Sequence, residues 1–268
     1  MTYEEFENMN HDEFLWLREE NMDIGGGKIS RADLDQIQQY PNWDKVMVTG
    51  LQQDTFEYFM KTYGDRLRYV SFWKNKSIED LSILGQYPNL EYVHFFLNQK
   101  AKKLWDMSGN TRLSGLKLEN FSRLSSLDGV QTAPHLKHLA FGDAIWSTHI
   151  LNDIQALYGT HLESFHFYAK KIEHIDILEF TKMPDLQKLD FRTNLFSTEE
   201  IAMLMAKAPH LSGYALRPLI TFERRSDDEN DVLIVGKRKP FLNSQKDCER
   251  IKKYEKKFYQ LIEHYKNN

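Results

Sequence analysis

The chain has 268 residues, enough for one or two ordinary domains or for one continuous repeat array. Apolar residues make up 41% and charged residues 28%, the balance of a water-soluble chain that can bury a core. The formal net charge of −4 lacks the basic excess of a phosphate-tracking protein, so nucleic acid is not an expected partner.

A single cysteine, Cys248, cannot close an internal disulfide. The acidic start Met1-Thr2-Tyr3-Glu4-Glu5-Phe6-Glu7 has neither the basic residues nor the apolar run of a secretory signal. No stretch approaches the ~18 apolar residues of a membrane span. These features imply a reducing, cytoplasmic setting without membrane contact.

In the first 40 residues, Phe6, Met9, Trp16 and Leu17 share one helical face. Glu13 falls in the middle of that face and Phe14 near its edge, so one continuous helix and two short helices both fit. Gly25-Gly26-Gly27-Lys28 resembles a phosphate loop only superficially. The glycine that such a loop needs upstream is Met22, and the hydroxyl residue it needs downstream is Ile29. A flexible link is expected there. Ser30 to Gln39 reads as the outer half of a repeat that lacks its strand, and residues 1–40 are assigned as an N-terminal helical cap.

From residue 41 the chain repeats. Pro41-Asn42-Trp43, Pro88-Asn89-Leu90, Pro134-His135-Leu136, Pro184-Asp185-Leu186 and Pro209-His210-Leu211 each open a run of alternating apolar residues. Similar runs open at Leu67, Leu113 and Leu162. The starts at 43, 67, 90, 113, 136, 162, 186 and 211 are 23 to 26 residues apart, a repeat period rather than chance spacing. Period-two alternation predicts a short strand with one buried face in each copy. Val70 and Phe72, Val93 and Phe95, Leu116 and Leu118, and Leu139 and Phe141 are the predicted core residues. Stacked copies form a parallel sheet with strands ~4.8 Å apart, and each copy buries its apolar face only against its neighbours. In the second half of a repeat, Glu199 to Met205 reads as a helix capped by Ser197 or Thr198. The 23-residue copies have room only for turns or 3₁₀ segments, as at Ser77 to Leu84.

Leu186-Gln187-Lys188-Leu189-Asp190-Phe191-Arg192-Thr193-Asn194 and Leu90-Glu91-Tyr92-Val93-His94-Phe95-Phe96-Leu97-Asn98 resemble the LxxLxLxxN consensus of the leucine-rich-repeat family. The resemblance covers residues ~41 to 220 and looks like the bacterial, cytosolic type. It implies an α/β solenoid with a curved parallel sheet on the concave face, and short helices and 3₁₀ turns on the convex face. An N-terminal helical cap and a C-terminal hairpin-plus-helix cap would close the ends. In that family the ninth-position asparagine, here Asn75, Asn98 and Asn194, bonds backbone groups of neighbouring turns. Phe121, Ala144 and Lys170 stand at that position in the middle copies, and Phe72, Phe95, Phe141, Phe167 and Phe191 replace leucine at the sixth. The family commonly binds proteins on its concave face.

The third, fifth and seventh positions of each copy fall on that face. Tyr69, Trp73, Tyr92, His94 and Phe96 come from adjacent copies and form a predicted aromatic patch. Gly115 and Gly142 leave the middle low. Lys117, Glu119 and His166 lie along the ladders, and Tyr168, Lys188, Asp190, Arg192 and Arg217 form a second, polar patch. Tyr, Trp and Arg are enriched in binding hot spots, and exposed aromatics in a row need a reason. Mutual stacking that stiffens the sheet is the competing explanation. His94 and His166 are three strands apart, ~14 Å, too far to share a metal ion.

After residue 218, Asp231 to Val235 reads as a strand pairing with Leu219 to Glu223 across the polar loop Arg225 to Asn230. A final helix carries Ile251, Tyr254, Phe258, Leu261, Ile262 and Tyr265 on one face. Residues 219–268 are assigned as a C-terminal cap. Asp227-Asp228-Glu229-Asn230-Asp231 lacks the glycine and terminal glutamate of a calcium loop. Gly236-Lys237-Arg238-Lys239-Pro240 is the one basic cluster. No nucleophile, base and orienting group stand together, and Cys248 lies at the start of a tail too short for a catalytic domain. The expectation is a monomeric, non-enzymatic protein that recognises a protein partner without metal or cofactor, in a scaffold, adaptor, inhibitor or immunity-type role. The alternative is an effector or enzyme whose C-terminal segment carries activity while the repeats read the substrate.

Overall fold

The alternating runs become strands of one parallel sheet. A computed structural model describes residues 1–19, 27–143, 148–223 and 229–267. In chain order the elements begin with α1 (Tyr3–Glu7), a 3₁₀ turn (His11–Glu13), β1 (Leu15–Leu17), α2 (Arg31–Asp35), β2 (Lys45–Thr49), α3 (Gln53–Tyr63), β3 (Tyr69–Trp73), β4 (Tyr92–Asn98) and β5 (Gly115–Phe121). There follow β6 (His138–Gly142), β7 (Ile150–Leu151), β8 (Ser164–Tyr168), β9 (Lys171–Ile172), β10 (Lys188–Phe191) and α4 (Thr198–Lys207). The last elements are β11 (Leu219–Thr221), β12 (Val232–Ile234), β13 (Phe241–Leu242) and α5 (Cys248–Lys266).

The eight-stranded parallel sheet runs β1-β2-β3-β4-β5-β6-β8-β10, and β7 pairs with β9 in a small ladder of its own. The register is constant across copies: Lys45, Tyr69, Tyr92, Gly115, His138, Ser164 and Lys188 stand opposite one another strand by strand. The even positions, Val70, Phe72, Val93, Phe95, Leu116, Leu118, Leu139 and Phe141, are all buried. They join one continuous core with α3, α4 and the 3₁₀ segments on that side of the sheet. The result is a solenoid-like α/β fold.

Two expectations change. Residues 6–17 do not form one helix: after α1 and the 3₁₀ turn, Leu15 to Leu17 extend as an edge strand against Val46 to Val48. Leu17 enters the main core while Trp16, opposite Met47, points to the other face. The open edge of β2 presents unpaired backbone groups, and pairing them outweighs a weak local helix pattern. At the far end, the copy beginning at Leu211 forms no strand and pairs only through a single bridge, Lys188 to Ser212. The Asp190 carboxylate takes the Tyr214 amide at 2.6 Å, which turns the chain out of the sheet. The first strand of the eight is therefore β1, and Gly213, Ala215 and Arg217 do not extend the ladders.

The ninth-position asparagines behave unequally. Asn75 donates to the Val48 carbonyl and accepts from the Leu51 amide, both at 2.8 Å. Asn98 donates to the Ile78 carbonyl at 2.8 Å and accepts from the amides of Lys100 and Ala101. Both side chains are buried, whereas Asn194 is exposed. Asn110, outside the repeat pattern, does similar work. It bonds the Leu84 and Tyr87 carbonyls and accepts from the Trp105 indole.

The C-terminal segment is tied to the array. β11, β12 and β13 form a three-stranded antiparallel sheet, one strand more than expected. The Thr198 hydroxyl donates to the Val235 carbonyl, and the Gly236 amide donates to Thr193. Gly236 has φ +130, and a side chain there would strike Thr198 at 2.5 Å, so the basic cluster occupies a pinned turn. Ser197 caps α4 in a reciprocal pair with Glu200. α5 lays Phe258, Leu261, Ile262 and Tyr265 against the main core, while Ile251 and Tyr254 pack on the small sheet. Cys248 is exposed at the start of α5. Gly25 and Gly26, Ala144, and Arg225 to Asp228 lie outside the described residues. No helix among the described residues is long and apolar enough to cross a membrane.

Replacing Asn98 by Ala strands the buried Ala101 amide, the part-buried Lys100 amide and the Ile78 carbonyl, so unfolding free energy should fall by ~3 kcal/mol. Asn194→Ala should change it by less than ~0.5 kcal/mol. Urea denaturation of the two variants checks the contrast.

Candidate functional site

The sheet face opposite the main core carries the third, fifth and seventh positions, and the register brings most of the predicted site residues together there. Trp73 and Phe96 stack with ring centroids 4.3 Å apart. Tyr69 and Tyr92 tilt against each other at 6.5 Å, and His94 lies edge-on to Trp73. Lys117 and Glu119 pair at 3.5 Å on β5. His166, Tyr168, Lys188 and Asp190 follow on β8 and β10. Arg192 stands just beyond β10, and Arg217 is exposed outside the sheet. The aromatic and polar patches thus form, without Arg217.

The sequence did not reveal what covers them. Residues 1–14 lie across this face. Phe6 is buried against Tyr92 and His138, with ring centroids at 6.1 and 5.4 Å. His11 stacks on His94 at 4.9 Å and 10°. The Tyr3 hydroxyl meets His166 Nε2 at 3.1 Å, and Lys188 lies over the Tyr3 ring at 4.1 Å. Glu7 approaches His166 Nδ1 at 3.3 Å, and Glu13 pairs with Lys45 at 3.0 Å. Phe6, Phe14, Tyr92 and Ala140 form a second apolar cluster, with Met1, Met9, Met47 and Tyr69 at its margin. Burying Phe6 and Phe14 contributes roughly 2–3 kcal/mol each. Tyr92, His94, His138 and His166 are consequently buried, although they face away from the main core. The only sequence signal was the low middle: Gly115 has no side chain because Met1 and Phe6 occupy the space, 2.7 and 2.9 Å from where a Cβ would stand.

Cross-strand pairs orient the histidines. His94 Nδ1 bonds Ser71 Oγ at 2.9 Å and its Nε2 bonds Glu119 at 3.0 Å. His138 Nδ1 bonds Ser164 Oγ at 2.9 Å. Ser71, His94 and Glu119 form a serine–histidine–carboxylate chain, but the ring is reversed relative to an acyl-transfer triad, with the serine on Nδ1 and the carboxylate on Nε2, and Ser71 is 0% exposed. A cleft of about 290 Å³ opens instead beside Phe6 and Glu7, over Lys117, Glu119, His166 and Tyr168.

Electrostatically the face favours neutral imidazoles. Burial, then His94 and Lys117, lowers the His11 pKa to about 4 against an opposing pull from Glu119. Burial likewise lowers His94 against the Glu119 hydrogen bond, and lowers His138 against the Met1 carbonyl. It lowers His166 against Glu7 and Asp190, with Lys117 and Lys188 adding to the effect. Burial pushes Glu119 up, but the His94 hydrogen bond and Lys117 outweigh it and hold this carboxyl below its usual range. Burial, with Glu7 and Asp190 nearby, raises Tyr3 to about 12. Among the described residues no group of three or more His, Cys, Asp or Glu could hold a metal ion.

No protein-family model matches the chain, and no curated protein matches it.

These shifts set a pH dependence. The unfolded chain binds protons near the ordinary histidine value of 6.5, whereas the folded face resists them down to about 4 at His11. The unfolded state therefore holds more protons in this window, and stability should fall as pH is lowered from 6.5 toward 4. Denaturant unfolding at steps between pH 7.5 and about 5, above the carboxylate range, checks this. His11→Gln should flatten the slope.

Proposed function

We propose that the chain is a leucine-rich-repeat-type recognition module that binds a protein partner on the sheet face opposite its main core, and that it is not an enzyme. The observation that carries this reading is the gathering of large aromatic and charged side chains from β3 to β10 on the face opposite the main core, covered among the described residues only by residues 1–14. Trp73 is half-buried beside Phe96, and the cleft over Lys117, Glu119 and Tyr168 is open to solvent. Rigid aromatics flanked by charges are the usual anchors of a protein interface. The constant register, the buried asparagines at Asn75 and Asn98, and the end elements β1 and β11 to α5 support the repeat assignment and the role of those ends as caps. The reading as a non-enzyme draws on the buried Ser71 hydroxyl and on the pinned, core-packed C-terminal segment, whose described residues gather no nucleophile and base.

The test is capture of partners from the source cells by the tagged chain, with mass spectrometry and a Trp73→Ala/Phe96→Ala control. The double variant should keep its cooperative unfolding and lose the captured protein. Equal capture by the variant would overturn the reading.

A further inference from the structure

Residues 1–14 sit on the face as a bound peptide would. They cross the sheet against strand order, from Tyr3 on β8 and β10, through Phe6 on β5 and β6, to His11 on β4 and Glu13 on β2. The amides of Phe6, Asn8, Glu13 and Phe14 bond within the segment itself. Attachment to the sheet runs through side chains, with the Met1 carbonyl near His138 at 3.4 Å. The apolar cluster that the segment builds is separate from the main core, so the segment can leave without opening that core. Glu13 pairs with the Lys45 ammonium, Glu7 lies beside the neutral His166 imidazole, and the segment's aromatic rings fill the seat above Gly115 and the space beneath Lys188.

Resting on the recognition reading above, we infer that residues 1–14 are an intramolecular stand-in for the partner, and that the partner docks through a short acidic, aromatic segment that displaces them. Occupancy by the chain's own segment reduces the apparent affinity for a ligand of this face to the intrinsic affinity multiplied by the fraction of open molecules. The chemistry of the stand-in defines the ligand: an aromatic ring for the Gly115 seat, a carboxylate for Lys45, a hydrogen-bond acceptor for the neutral His166 imidazole, and a second ring for Lys188.

The test uses the full chain and a fluorescent peptide carrying residues 1–14. Phe6→Asp should release the segment while leaving the seat open, and Tyr3→Ala/Glu7→Lys should loosen it with Phe6 intact. Both should bind the peptide roughly tenfold or more tightly than the parent chain. Adding Gly115→Val fills the seat and should abolish the gain, as should a peptide carrying Phe6→Asp. Hydrogen exchange on the unaltered chain is the second measurement. The amides of Phe6 and Asn8 should exchange much faster than that of Phe95. Released variants that unfold cooperatively but gain no peptide binding would overturn the inference, as would amides of the segment protected as strongly as the sheet. Such a failure with Trp73- and Phe96-dependent capture intact removes only this inference. Capture that ignores those residues removes the recognition reading.

Discussion

Everything in this fold depends on the shared register of parallel strands. A lone strand leaves its backbone donors and acceptors and its apolar face unsatisfied. Stacking copies one above another satisfies both at once. Because side chains alternate with period two, a one-residue slip in any copy would move its apolar set to the wrong face. The ladder from Lys45 to Lys188 keeps one register over seven strands, so the identity of each face is fixed along the whole sheet.

That constraint explains where the polar machinery lies. Asn75 and Asn98 leave the strand ends and turn back to bond carbonyls and amides that the next turn would bury. Gly142 stands where its neighbour's backbone comes close, at φ +136 with the Tyr168 carbonyl 2.2 Å from a would-be Cβ. The array ends where the register can no longer be continued. β1 covers one edge with three residues, and Asp190 breaks the other by capturing the Tyr214 amide.

The opposite face is unusual because it too is partly dry. Imidazoles at the third and fifth positions would be ordinary solvated groups on an open sheet. Under residues 1–14 they lose water, become bound to serines on neighbouring strands and to Glu119, and are held neutral. One surface therefore contains stacked aromatic rings, a titratable layer and its own cover.

The sequence by itself determined the repeat, its period, the positions of β2 to β6, β8 and β10 and their inward residues, because apolar alternation is a local pattern with a single geometric reading once copies stack. It also determined α4 with a cap at Ser197 or Thr198, the β11–β12 pairing and the apolar face of α5, whose signals lie within a few residues of one another, and the structure places the cap at Ser197. Only the tertiary structure decided that Leu15 to Leu17 extend, that the copy at Leu211 leaves the sheet, that Asn110 joins Asn75 and Asn98, and that residues 1–14 fold over the ladders. Each of these is a contact between residues far apart in the chain. A sheet edge overrode helical periodicity, a carboxylate replaced a strand partner, and Phe6 filled a space that the sequence showed only as glycine at 115.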